Sequence, residues 1–146
     1  MTISTRMAEP ADASELIRLN REFNDGQDVS DNLADVGRSL STNPSEKVVV
    51  AEQNRQILGF ATIQITHSFC YTRPTVELTE IFVPEKDRRK GVATSLIQEV
   101  VRICVDNDGL ELFFRVNRQN EGAIHFYRQS GFEEANHFEY RIKFYE

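Results

Sequence analysis

Tryptophan is absent from this chain, and proline, cysteine and methionine are scarce at four, two and two among 146 residues. Two cysteines, Cys70 and Cys104, cannot make a disulfide framework. No apolar run approaches the ~18 residues that cross a bilayer as a helix, so no membrane partner is expected. The opening M-T-I-S-T-R-M-A-E-P lacks the basic-then-apolar layout of a secretory leader, and a cytoplasmic protein is the expectation. Positive charge is in deficit, 17 basic against 23 acidic side chains. The net −6 argues against nucleic acid and suits a cationic partner. His67, His125 and His137 have no cysteine, histidine or acid at metal-ligand spacing, and no H-E-x-x-H occurs, so no metal is expected. G-x-S-x-G, G-x-x-x-x-G-K and G-x-G-x-x-G are missing too. A His67-x-x-Cys70 pair within a link is weak support for an acyl-cysteine route.

What remains is an ordinary globule: 40% hydrophobic, with ten phenylalanines and seven glycines. Without repeats, low-complexity tracts or linkers, residues 1–146 read as one domain. Residues 2–7 alternate weakly as a first strand. Pro10 and Asp12 start a helix whose face is Ala13, Leu16, Ile17, Leu19 and Phe23. A weaker helix follows over residues 28–41. The strand 47–51 and the long strand 57–66 are joined by Asn54-Arg55 as a hairpin, with Ile57, Gly59, Ala61, Ile63 and Ile65 expected on one face. A strand over 110–116, a helix over 120–129 and a last strand carrying Phe138, Tyr140, Ile142 and Phe144 complete the order β-α-α-β-β-β-α-β-α-β. That order describes a mixed sheet flanked by helices, α+β to α/β in class.

The richest stretch is V-E-L-T-E-I-F-V-P-E-K-D-R-R-K-G-V-A-T-S-L-I-Q-E-V-V, from Val76 to Val101. It begins as a strand, and Pro84 ends the ladder because it has no N–H to donate. Gly91 then opens a helix with two adjoining apolar stripes, Val92/Leu96/Val100/Cys104 and Ala93/Ile97/Val101/Val105, expected to form one broad buried face. At the corner between them Lys86, Arg88, Arg89 and Lys90 stand against Asp87, with Glu85 just before them. A helix start offers unpaired N–H groups and the positive end of a dipole, so this corner can hold an anion. The plainer alternative is a solvated basic turn.

Arg88-x-x-Gly91-x-Ala93, after a strand ending Val83-Pro84 and before an amphipathic helix, resembles the Q/R-x-x-G-x-G/A acyl-CoA signature of the GNAT superfamily of N-acyltransferases. A second stretch, V-N-R-Q-N-E-G-A-I-H-F-Y-R-Q-S-G-F, resembles that superfamily's N-x-x-A-x-x-F/L-Y-x-x-x-G-F through Asn120, Ala123, Phe126, Tyr127, Gly131 and Phe132. The resemblance implies a GNAT fold: a mostly antiparallel mixed sheet flanked by about four helices. It implies that Arg88, Arg89, Lys90, Gly91, Val92, Ala93 and Thr94 hold the pyrophosphate of acetyl-CoA, and that the pantetheine arm pairs along Ile81, Phe82 and Val83. It also implies Asn120 as a contact to that arm and Tyr127 as the acid near the thioester sulfur. Read as residues alone, Asn120 is equally a helix N-cap and Tyr127 a packed aromatic.

Acetylating an amine needs an ammonium of pKa ~10.4 to lose its proton near pH 7, which costs about 4.6 kcal/mol. Glu80, where family members carry the base, is the candidate; it would serve either by taking the proton or by holding the ammonium. Glu77 is the candidate substrate contact, or else a solvent-facing acid, and alternation puts it opposite Glu80 unless a bulge intervenes. The expected function is direct acetyl transfer from acetyl-CoA to a primary amine. The alternative is a non-catalytic acyl-CoA-binding sensor or interaction module. The acceptor is left open among polyamine, aminoglycoside, amino acid and peptide, with Asp25, Asp28, Asp31 and Asp35 suited to a cationic one. A homodimer is compatible with this reading.

Overall fold

The computed structural model describes residues 2–26 and 29–145. The chain divides into two packed units, one ending at Arg115 and one beginning at Val116. The first unit runs β1 (Ser4–Met7), a tight turn at Pro10–Asp12, α1 (Ala13–Phe23), α2 (Leu33–Thr42), β2 (Glu46–Gln53), β3 (Gln56–Thr66), β4 (Thr75–Phe82), a turn at Glu85–Asp87, α3 (Val92–Asp106) and β5 (Leu112–Phe113). Its five strands lie in chain order. Each neighbouring pair is antiparallel except β4–β5, which is parallel. The second unit holds α4 (Glu121–Gln129). The expected mixed, mostly antiparallel sheet with four helices is therefore present. Among the described residues no helix is long and apolar enough to cross a membrane.

Two local irregularities set which side chains face which way. Asn54 and Arg55 both take positive φ, 53° and 65°, as the two-residue hairpin turn requires. Just beyond, Ala51 pairs with Gly59 but Glu52 with Ile57, so Leu58 is an extra residue. The parity of β3 flips there. Ile57 consequently leaves the Gly59/Ala61/Ile63/Ile65 face on which alternation put it and packs with Leu16, Leu19, Val50, Phe60 and Phe82. That cluster sits under α1. On the opposite face α3 packs against β2, β3 and β4.

Three further expectations are corrected. In α3 the stripe Val92/Leu96/Val100/Cys104 is buried with Ile97 and Ile103, but Val101 and Val105 are exposed. Packing on a sheet covers one side of a helix, and the second stripe turns past its edge. β5 spans Leu112–Phe113 rather than 110–116, bonded to β4 only at Val76 and Glu77. The segment around Phe138, Tyr140, Ile142 and Phe144 forms no strand, and these side chains are 81–91% exposed among Phe138, Tyr140, Ile142 and Phe144. Alternation marks a segment able to pair, but a strand exists only where a neighbour takes up its N–H and C=O groups.

Candidate active site

β4 is the strand on which the site depends. Thr62 pairs with Glu80, whereas Ile63 pairs with Leu78, so Thr79 is bulged out of register. The extra residue reverses the parity of everything beyond it. Glu80 then comes to the same side as Glu77, because their partners Thr62 and Gln64 are two apart on β3. Side chains pin the bulge: the Thr79 hydroxyl donates to the Thr62 carbonyl at 3.1 Å, and the Thr62 and Thr79 hydroxyls lie 2.6 Å apart. With the Thr79 proton so engaged, the Thr62 hydroxyl is the donor between them.

Glu80 opens into a cavity of about 300 Å³ whose floor is β2–β4 and whose wall is α1 and α2. Leu16, Ile17, Val36, Leu40, Val48 and Phe60 supply its apolar surface, and Asn20, Ser30, Asp35, Ser39, Glu46, Thr62 and Glu80 its polar groups. Among the described residues no lysine, arginine or histidine lines it. Burial, and then the charge of Glu80, push the Glu46 carboxyl above its ordinary value, while a bond from Gln64 Nε2 at 3.0 Å works the other way. Of the acids expected near an acceptor, Asp35 lines the cavity, Asp31 pairs with Arg21 at 3.1 Å, and Asp28 lies outside the described residues. Glu77 shares the face of Glu80 but is not part of the lining.

Beyond Glu77 the outer edge of β4 has no strand partner among the described residues, since β5 leaves it there. Ile81 and Phe82 continue along that edge into Val83, Pro84 and the turn Glu85–Asp87. The Arg88 Nε donates to the Val83 carbonyl at 2.8 Å, and Lys90 pairs with buried Asp87 at 3.3 Å. Two of the four basic side chains thus hold the corner itself. Arg89 and Gly91 take φ of 64° and 85°. α3 closes its first turn with the Ser95 N–H on the Gly91 carbonyl at 3.0 Å, which leaves the N–H groups of Val92, Ala93 and Thr94 outside the helix ladder. The first turn of α3 holds no acid. A Cβ built on Gly91 would meet no heavy atom within 4 Å, so the space before this helix start is open.

In the second unit Asn120 caps α4, its Oδ1 accepting from the Ala123 N–H at 3.1 Å. Tyr127 lies on the same helix, its ring edge-on to Phe126 and Phe132 at 5.4 and 5.9 Å. Burial pushes its phenol above the usual tyrosine range, so it stays protonated at neutral pH. Gly131 ends the segment at φ 97°.

Residues 13–132 match the profile of the acetyltransferase (GNAT) family, most of the chain and both motifs. The chain belongs to the GNAT family. An uncharacterised N-acetyltransferase of Bacillus subtilis, YhfO, is 23% identical over 139 residues, covering 93% of each chain. An uncharacterised N-acetyltransferase of Methanocaldococcus jannaschii is 33% identical over 86 residues; the match covers 58% of this chain and only 38% of that relative. The aminoglycoside N-acetyltransferase AAC(6')-Iy, solved with a bisubstrate CoA–acetylneamine analogue, superposes with a TM-score of 0.84 at 24% identity over 98% of this chain and 99% of its own.

For this GNAT member the sequence motifs did not reach the cavity between α1, α2 and the sheet. Glu46, Thr62, Asn20 and Ser39 carry no spacing that marks them. The only available signal for Glu46 was its even-numbered alternation with Val48 and Val50. That signal gains meaning only with the β2–β3 register, which the Leu58 bulge shifts by one.

Proposed function

We propose that this GNAT member is an acetyl-CoA-dependent N-acetyltransferase for a primary amine of a compact cationic acceptor, working as one domain that spans both packed units. One observation carries the reading. β4, bulged at Thr79, turns Glu80 into a half-open cavity and leads by its outer edge into an amide-rich helix start. The family match across residues 13–132 supports treating the two units as one domain. A cavity with three carboxylates and no basic side chain among the described lining residues favours a cationic acceptor over an amino acid, whose own carboxylate would find no partner among them.

In this reading the main-chain amides from Arg88 to Thr94 take the pyrophosphate, and Arg89 adds charge. Ile81, Phe82 and Val83 offer N–H and C=O groups to the pantetheine amides, as a sheet edge does to an added strand. Asn120 keeps its capping bond, and its place in the second family motif supports a contact to the pantetheine arm. Glu80 takes a proton from the acceptor ammonium, and Glu77 contributes negative charge on the same face. The amine nitrogen then attacks the thioester carbon; a C–N bond forms, the nitrogen's second surplus proton passes to water, the C–S bond breaks, and Tyr127 gives its phenolic proton to the departing sulfur. Tyr127 and the carboxylate exchange protons with water to close the cycle.

Thiol release from acetyl-CoA across a panel of diamines, polyamines, amino sugars, amino acids and peptides tests this. Turnover is expected with the first three classes, and Glu80→Gln should lower kcat/KM by about 100-fold. Coenzyme A binding without thiol release on any amine would instead support the sensor.

A further inference from the structure

Neither sequence motif contains Glu46, yet the strand register brings it to the same cavity as Glu80. Glu46 pairs with Gln64 across β2–β3, and Glu80 pairs with Thr62 across β3–β4. The two glutamates therefore rise from the strands flanking β3, on one face and two residues out of step. Strand spacing and rise put their Cα atoms about 12 Å apart, a gap that the two long side chains narrow where they lean together over a bound ammonium group. Gln64 Nε2, at 3.0 Å, steadies the Glu46 carboxylate over β3 and leaves its second oxygen for another donor. Thr62 stands between them, but its hydroxyl is engaged with Thr79.

The charges facing this pair are few. From α2 comes Asp35, paired with Arg38; the α1 residues in the lining, and Thr62 and Gln64 of β3, do not titrate. Glu77 shares the face without lining the cavity. Among the described residues no cation in the lining answers either glutamate. We propose that Glu46 is a second acceptor-binding carboxylate, closing on the acceptor's ammonium from β2 while Glu80 reaches it from β4. The proton lost when the N–H bond breaks forms an O–H bond on either member of the pair and passes from there to water. This rests on the acetyltransferase reading.

The test compares wild type, Glu46→Gln and Glu46→Asp with acetyl-CoA and the best amine of the panel. Glu46→Gln should raise the amine KM by about tenfold or more, as loss of a charge-assisted contact does, with the acetyl-CoA KM unchanged. Its acid limb of kcat/KM should move to lower pH, because the carboxyl with the raised pKa is gone. Glu46→Asp, shorter but charged, should recover more of the KM than the isosteric Gln. Glu46 in a purely structural role predicts the reverse order. An unchanged amine KM in Glu46→Gln, or Glu46→Asp weaker than Glu46→Gln, overturns the proposal.

Thermal unfolding supplies a readout independent of turnover. A carboxyl whose folded pKa is raised contributes stability below its unfolded pKa and loses it as pH rises through the folded value. At pH 7–8 ionised Glu46 therefore weakens the fold, so Glu46→Gln should raise Tm there, with the gain fading toward pH 4. A lowered Tm at pH 7–8, or failure to fold, also overturns it. If wild type releases no thiol with any amine, the acetyltransferase reading fails first, and the Tm comparison still judges whether Glu46 awaits a cation.

Discussion

Tyr127 keeps its proton well past neutral pH because burial disfavours the phenolate. A group so held can donate to a leaving thiolate, and its two aromatic neighbours fix the ring. Tyr127→Phe keeps the ring packing and removes only that proton. It is expected to lower kcat by about tenfold or more while coenzyme A affinity, measured by calorimetry, stays near wild type. An unchanged kcat takes Tyr127 out of the mechanism. In the basic corner Arg88 and Lys90 have a structural part as well: one ties the Val83 carbonyl and the other answers buried Asp87. What they build is the corner that leaves the amides of α3 exposed.

At the scale of elements, the decisive event is one extra residue in β4. The motif spacing located strand, loop and helix to within a residue or two, because proline, glycine and apolar periodicity act locally. The bulge at Thr79 was not legible, since it depends on which residue of β3 lies opposite. β3 also sets how close the strand end and α3 approach each other. A Cβ on Gly59 would lie 2.7 Å from the Phe82 carbonyl oxygen, 3.1 Å from Val83 and 3.3 Å from Val92. Gly59→Ala must therefore push the end of β4 away from β3, an overpacking cost of about 1–3 kcal/mol. Because the displaced atoms lead into the anion corner, the same variant should also bind coenzyme A more weakly. Unfolding and calorimetry on Gly59→Ala check both; unchanged coenzyme A affinity would mean that β4 does not align the loop.

For the molecule as a whole, a chain of net charge −6 confines its basic cluster to one corner of the first unit. Binding a nucleotide there only in the folded state must stabilise the fold. Coenzyme A at about 100 times its Kd should raise Tm by about 5–10 °C, and the rise should shrink at high salt as the pyrophosphate contacts are screened. No shift in a melting curve would count against the corner as the coenzyme site. The sequence by itself determined the family, the order of elements as far as α4 and the two family motifs, since turns, caps and periodicity are encoded within a few neighbouring residues. Only the tertiary structure decided that Glu77 and Glu80 share a face, that Glu46 joins them, that Val101 and Val105 stay exposed, and that β5 is short. Each of these depends on strand register or on what covers a surface, and both are set by residues far apart in the chain.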